Sequence, residues 1–144
     1  MIKMIHSYWA YIVLIVLIFA IVNAFLGLKA NKKFEAKDLR IALFALIASH
    51  IQLIFGFVAY YLSSFYDTMR AAGMGEVMKN SDLRKVLVEH PLVGIIAITL
   101  ITIGFSKHKK KTTDAAKFKT IAVFYTIALI LILSRIPWSQ WFSN

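Results

Sequence analysis

The chain of 144 residues contains no cysteine, only two prolines and only seven acidic residues. Without cysteine it can form no disulfide, no thiolate metal site, no iron–sulfur cluster and no covalently attached c-type haem. Charged residues make up 17% of the chain, whereas hydrophobic residues make up 60%. This composition is too apolar for an ordinary soluble domain of this size. We therefore expect lipid to be the main solvent of the folded chain.

Four windows of the sequence are long and almost free of charge. A helix needs about 20 apolar residues to cross hydrocarbon about 30 Å thick, and it satisfies its own backbone groups there. The windows are residues 7–28, 41–66, 90–106 and 120–134. The last two are short, so each must extend into flanking polar residues. The first follows Lys3 as a signal peptide would, but it is too long and no small-x-small cleavage site follows.

These windows predict an all-α, integral membrane four-helix bundle. Short connections make neighbouring helices antiparallel, so the expected order is up-down-up-down. No repeat or linker is visible, and one domain covering residues 1–144 is expected. We place its helices at about residues 4–28, 39–64, 82–106 and 118–137.

The net charge of +10 is unevenly distributed. Eleven of the 17 Lys and Arg residues lie in residues 29–40 and 107–119, which connect the first two and the last two windows. By the positive-inside rule both segments are cytoplasmic, which puts both termini and residues 67–89 on the other side. The basic run at residues 107–111 is then an anchor on anionic lipid head groups, and nucleic acid is not an expected partner.

The connection between the second and third windows also contains recognisable loop and helix signals. Residues 66–75 are predicted to be loop-like, and Ser81 can cap a new helix. Leu87 and His90 fall on one face of that helix. Pro91 cannot donate a hydrogen bond to the carbonyl of Leu87, so we expect a kink there.

His6 and His90 are the first candidate site residues. His6 opens the first helix and His90 stands where the third helix enters from the same side, so both imidazoles lie at a similar depth. Two imidazoles facing each other across a bundle can hold the iron of a b-type haem. A bare metal ion would want further ligands, and the windows offer neither cysteine nor carboxylate. The alternative for each histidine is an ordinary hydrogen bond at the membrane interface.

The other two histidines differ in position. His50 lies well inside the second helix, where an ionisable group is costly and therefore predicts a function. It could replace His6 as an axial ligand, or it could hydrogen-bond a quinone or a carbonyl group. One haem b is expected, with two as an alternative that lacks a further ligand. His108 lies in the basic run and is expected to be a solvated loop residue.

Arg135 and Trp138 lie in the segment SRIPWSQW, where the fourth helix meets the outer surface. In one interpretation Arg135 is an anchor within an aromatic belt. In the other, its guanidinium pairs with a haem propionate, since its planar donors suit a carboxylate. The two interpretations remain equally open, and Trp138 stands beside the same site.

Several segments together resemble small four-helix bacterial membrane proteins labelled cytochrome B. These segments are HSYWAYIVLIVLIFAIVN, SHIQLIFGFVAYYLS, VEHPLVGIIAITLITIGFSKHK and SRIPWSQW. The order is also loosely similar to one half of haem A synthase, with a Q-x-x-x-G helix formed by Gln52 and Gly56. This resemblance implies a bacterial cytoplasmic (inner) membrane and implies His6 and His90 as axial ligands. It does not carry over synthase activity, because the second four-helix half is missing.

The expected function is electron transfer by a membrane-bound b-type haem protein that exchanges electrons with a quinone or a respiratory-type membrane partner. An electron carrier or subunit is favoured over a stand-alone enzyme, because no nucleophile elbow, phosphate loop or intramembrane carboxylate pair is visible. The alternatives are a cofactor-free accessory or assembly subunit of a larger membrane complex, a haem-handling assembly factor and, last, a small transporter. Glycine and alanine faces also suit a homo-oligomer.

Overall fold

The computed structural model describes residues 1–136, and within this range the chain forms helices and turns without any strand. The predicted all-α class is therefore confirmed for the described residues, whereas Trp138 lies outside them. The helices are α1 (Ile2–Lys29), α2 (Ala36–Tyr61), α3 (Ser64–Ala72), α4 (Met74–Lys79), α5 (Ser81–Arg84), α6 (His90–Lys109) and α7 (Asp114–Ser134). A π-helical turn, Lys85–Glu89, joins α5 to α6.

Four of these helical segments are long and apolar enough to cross a membrane. They are α1, α2, the continuous segment Ser81–Lys109 and α7. Helix α1 packs against α2 and α7, and α6 packs against the same two helices, so the four segments close a ring. Small residues allow close approach within this ring, among them Ala24 and Ala45. The large buried rings of Phe118 and Tyr125 fill the space between the helices.

Polar side chains fix how α1 and α2 pair along their lengths. Trp9, early in α1, donates through Nε1 to the carbonyl oxygen of Ala48 at 2.8 Å. Asn23, late in α1, donates through Nδ2 to Oδ1 of the buried Asp38 at 2.9 Å. Asp38 lies in the first turn of α2. The first contact joins the beginning of α1 to the middle of α2, and the second joins the end of α1 to the beginning of α2.

The prediction of a loop over residues 66–75 is wrong, because α3 and α4 occupy most of this segment. Oγ of Ser63 accepts from the backbone N–H of Tyr66 at 3.1 Å and so caps α3. Gly73, with φ of 90°, separates α3 from α4 in a conformation that favours glycine. These short helices were missed because the glycines of AAGMG indicated a loop, whereas Gly73 only separates two helices.

Pro91 lies in the first turn of α6, directly after the π-helical turn. Proline has no N–H, so the carbonyl oxygen of Leu87, four residues earlier, loses its usual helical donor. Tyr60 of α2 supplies a replacement, since its hydroxyl donates to the Leu87 carbonyl oxygen at 2.9 Å. The hydroxyl thus ties α2 to the segment that precedes His90.

Gly104 and Gly94 provide a matched test of packing on α6. A Cβ at Gly104 would lie 2.5 Å from Cβ of Phe124 on α7, whereas a Cβ at Gly94 would meet nothing within 4 Å. We expect Gly104→Ala to lower the free energy of unfolding by about 1–3 kcal/mol through overpacking. Gly94→Ala should be neutral or slightly stabilising, because alanine favours helix. Thermal unfolding in detergent measures both, and equal effects would contradict this packing.

Candidate site at the His6–His90 end

The structure brings His6 and His90 together at one end of the four-helix ring. Their ring centroids lie 6.2 Å apart and their ring planes are inclined by 78°. His6 lies in the first turns of α1, and His90 is the first residue of α6. The two imidazoles thus come from separate helices that meet at the same depth.

This spacing suits two nitrogen ligands on opposite sides of one metal ion. Two metal–nitrogen bonds of about 2 Å each, together with the ring radii, place the centroids of trans imidazoles about 6 Å apart. The inclination of the ring planes is compatible with this arrangement, because two opposing nitrogens can share one axis at any angle between their rings. The observed separation of 6.2 Å is close to this value.

His90 is held in a defined tautomer. Its Nδ1 lies 2.9 Å from the carbonyl oxygen of Arg135. A carbonyl oxygen can only accept, so Nδ1 carries the proton and donates, which leaves a lone pair on Nε2. Metal-binding histidines usually donate their second ring nitrogen to a carbonyl or a carboxylate in this way. The carbonyl of Arg135 therefore fixes the orientation of the His90 ring.

The side chain of Arg135 lies near an acidic residue. Its Nε lies 3.9 Å from Oε1 of Glu89, and its Nη1 donates to the carbonyl oxygen of Ser134 at 3.1 Å. Glu89 also accepts from Nε of Arg84 at 2.8 Å. The acidic residue beside His90 thus lies between two guanidinium groups. Because Glu89 holds Arg135 near the start of α6, it supports the hydrogen bond to His90.

Two further polar contacts surround His6. Gln52 donates through Nε2 to the His6 carbonyl oxygen at 2.9 Å. Gly56 lies against the imidazole, since a Cβ there would come within 3.3 Å of the ring carbon Cε1. Gly56 therefore gives room to the His6 ring itself. The Q-x-x-x-G pattern of the second helix places both residues on the His6 side of α2.

Nδ1 of His6 and Oε1 of Gln52 are buried without a hydrogen-bond partner in the described part of the chain. Buried polar atoms are nearly always paired, so an orphan pair needs an explanation such as a missing ion or ligand. Among the described residues, only Oγ1 of Thr126 shares this condition. Two of the three orphan atoms thus lie in the candidate site.

His50 lies apart from this site. Its Nε2 is 2.9 Å from Oγ1 of Thr102, whose hydroxyl in turn donates to the carbonyl oxygen of Ile98 at 2.8 Å. Thr102 follows His90 by twelve residues on α6, which corresponds to about 18 Å along the helix axis. The side chain of His50 is also exposed on the surface of the isolated chain. The structure therefore does not bring His50 together with His90 as an alternate ligand.

The expectation that His108 is a solvated loop residue is wrong. Its side chain is only 1% exposed, in the last turn of α6. Nδ1 donates to the carbonyl oxygen of Phe105, and the ring packs against Phe34 at 5.2 Å between centroids. The rings of Phe34 and Phe105 cover the His108 side chain. The sequence did not indicate this burial, because His108 is surrounded by lysines.

Within residues 1–136 no group of three or more His, Cys, Asp or Glu side chains could hold a metal ion. Two facing imidazoles are fewer ligands than a bare metal ion prefers. No protein-family model, curated protein or solved structure matches the chain. The link to cytochrome B proteins therefore stays a prediction, as do the roles of His6, His90 and Arg135.

Proposed function

We propose that this chain is a multi-pass membrane protein that holds one haem b between His6 and His90 and transfers electrons. The observation that carries the proposal is the imidazole pair, delivered by α1 and α6 at a centroid distance of 6.2 Å. The fixed tautomer of His90 supports it, because Nε2 is left free to bind a metal. The unpartnered atoms of His6 and Gln52 support it as well.

The membrane part of the proposal is supported by the surface and the charge of the bundle. Large apolar side chains are exposed on all four long helical segments, for example Ile15, Phe44, Ile96 and Ile130. Residues 29–40 and 107–119 carry a net charge of +8, against +2 for the rest of the chain. We infer an up-down-up-down bundle in a bacterial cytoplasmic membrane, with the basic connections inside and both termini outside.

The side chains of the site have separate parts in this proposal. His90 offers Nε2, and the carbonyl of Arg135 keeps its ring in place. His6 offers the opposing imidazole, whose position is limited by Gly56. The guanidinium groups of Arg84 and Arg135 add positive charge beside the pair, which favours carboxylates such as haem propionates. A bound haem would supply one-electron chemistry, and its redox partner would be a quinone or a respiratory-type membrane protein.

Optical spectra of detergent-purified protein, oxidised and reduced with dithionite, test the haem directly. We expect sharp α and β bands in the reduced wild type and their loss in His6→Ala and His90→Ala. His50→Ala is the matched control and should keep the bands, because His50 lies about 18 Å further along the bundle. Size-exclusion chromatography confirms that each variant is folded.

Three outcomes of these spectra would contradict the proposal. Folded wild-type protein without a Soret band would favour the cofactor-free accessory subunit. Weak, substoichiometric haem that is lost during purification would favour a haem-handling assembly factor. Equal loss of the bands in all three variants would show that His6 and His90 are not specific ligands.

The topology can be tested with single cysteines, since the chain has none of its own. Glu76→Cys and Lys110→Cys place exposed thiols at opposite ends of the bundle. A maleimide that cannot cross membranes should label Glu76→Cys in intact spheroplasts, and Lys110→Cys only after lysis. The reverse labelling pattern would show that the chain has the opposite orientation in the membrane. Labelling of both thiols before lysis would contradict a four-helix membrane bundle.

A further inference from the structure

A groove of about 370 Å³ lies at the opposite end of the bundle from the histidine pair. It runs between the start of α2 and the junction of α6 with α7. Its walls combine apolar and basic side chains: Phe34, Ala36, Leu39, His108, Lys109 and Lys117. Glu35 is the one carboxylate on its rim. None of the proposed haem-site residues takes part in it.

The groove has a well-packed base. The ring of Phe34 packs against Phe118 at 5.0 Å and against the buried His108 at 5.2 Å between centroids. The backbone N–H of Phe34 donates to Oδ1 of Asp114 at 3.0 Å, which ties the connection after α1 to the start of α7. The shape of the groove therefore follows from contacts among three parts of the chain.

Two lysines are held at this groove without a carboxylate partner among the described residues. Nζ of Lys117 donates to the carbonyl oxygen of His108 at 3.4 Å and lies 5.9 Å from the Phe34 ring. Nζ of Lys109 lies 4.7 Å from the Phe105 ring. Cation–π contacts and one carbonyl leave most of the ammonium donors available. The surrounding connections carry the net charge of +8, so an anion is favoured here despite Glu35.

We propose that the groove binds an anionic phospholipid, with Lys109 and Lys117 on the phosphate and the start of an acyl chain against Leu39. A lipid fits better than a soluble anion because the walls include Phe34 and the partly exposed Leu39, at the ends of the long apolar helices. The proposal rests on the membrane location of the chain, but it does not depend on haem.

Native mass spectrometry of the detergent-solubilised protein tests the groove, using titrations with phosphatidylglycerol and phosphatidylcholine. Wild type should prefer phosphatidylglycerol. Lys109→Gln/Lys117→Gln should weaken that binding about tenfold or more, as expected for the loss of two charge-assisted contacts. Lys110→Gln/Lys111→Gln is the matched control, because it removes the same charge from the same region outside the groove walls and should cost much less.

A second variant, which blocks the groove without changing its charge, provides an independent test if the lysine substitutions disturb folding. Ala36→Trp fills the groove without altering any charge and should also weaken phosphatidylglycerol binding, with folding checked by size exclusion and thermal unfolding. Equal weakening by both lysine pairs would overturn the proposal in favour of diffuse attraction. Equal binding of both lipids, or displacement of phosphatidylglycerol by millimolar inorganic phosphate, would also overturn it. Haem content and cysteine labelling are measured on the same preparations. They show whether the haem and membrane proposals hold even if the lipid proposal fails.

Discussion

The hydrogen bond from Nδ1 of His90 to the carbonyl oxygen of Arg135 is the contact on which the candidate site depends. It joins the first residue of α6 to the end of α7, and it fixes which nitrogen of His90 keeps a lone pair. Glu89 and the two arginines around it hold the same junction from outside. Tyr60 holds it from α2 by pairing the carbonyl that Pro91 leaves free. The position of His90 relative to His6 follows from these contacts.

Polar groups are few in this apolar bundle, and several of them are paired across helices. Tyr125 donates to the Ala42 carbonyl oxygen at 2.8 Å, and Trp9 to that of Ala48. An unpaired polar atom costs more in such surroundings than in water, where a replacement partner is always present. The buried atoms of His6 and Gln52 that lack a partner are therefore notable, because both residues lie beside the imidazole pair.

The shared depth of His6 and His90 was readable from the sequence, whereas the depth of His50 relative to them was not. The windows placed His6 and His90 at one end, and the structure brings them together. The structure places His50 beside Thr102, about 18 Å from His90 along the bundle axis, because the helix tilt that would bring the two histidines level is not visible in the sequence. The parts played by the Arg135 carbonyl and by Glu89 escaped prediction because a backbone contact has no sequence signature and an ion pair depends on folded geometry. The burial of His108 was not predicted because the neighbouring lysines indicated a solvated segment, whereas its contacts with Phe34 and Phe105 form only in the folded chain.

The most direct test of the central claim is electron paramagnetic resonance of the oxidised, detergent-purified protein at low temperature. A ferric iron between two imidazoles gives a low-spin signal, and nearly perpendicular ring planes make that signal strongly anisotropic. With planes inclined by 78°, the wild type should show this strongly anisotropic low-spin signal. A high-spin signal would contradict paired ligation by His6 and His90, and a rhombic low-spin signal typical of parallel rings would contradict the geometry proposed for them.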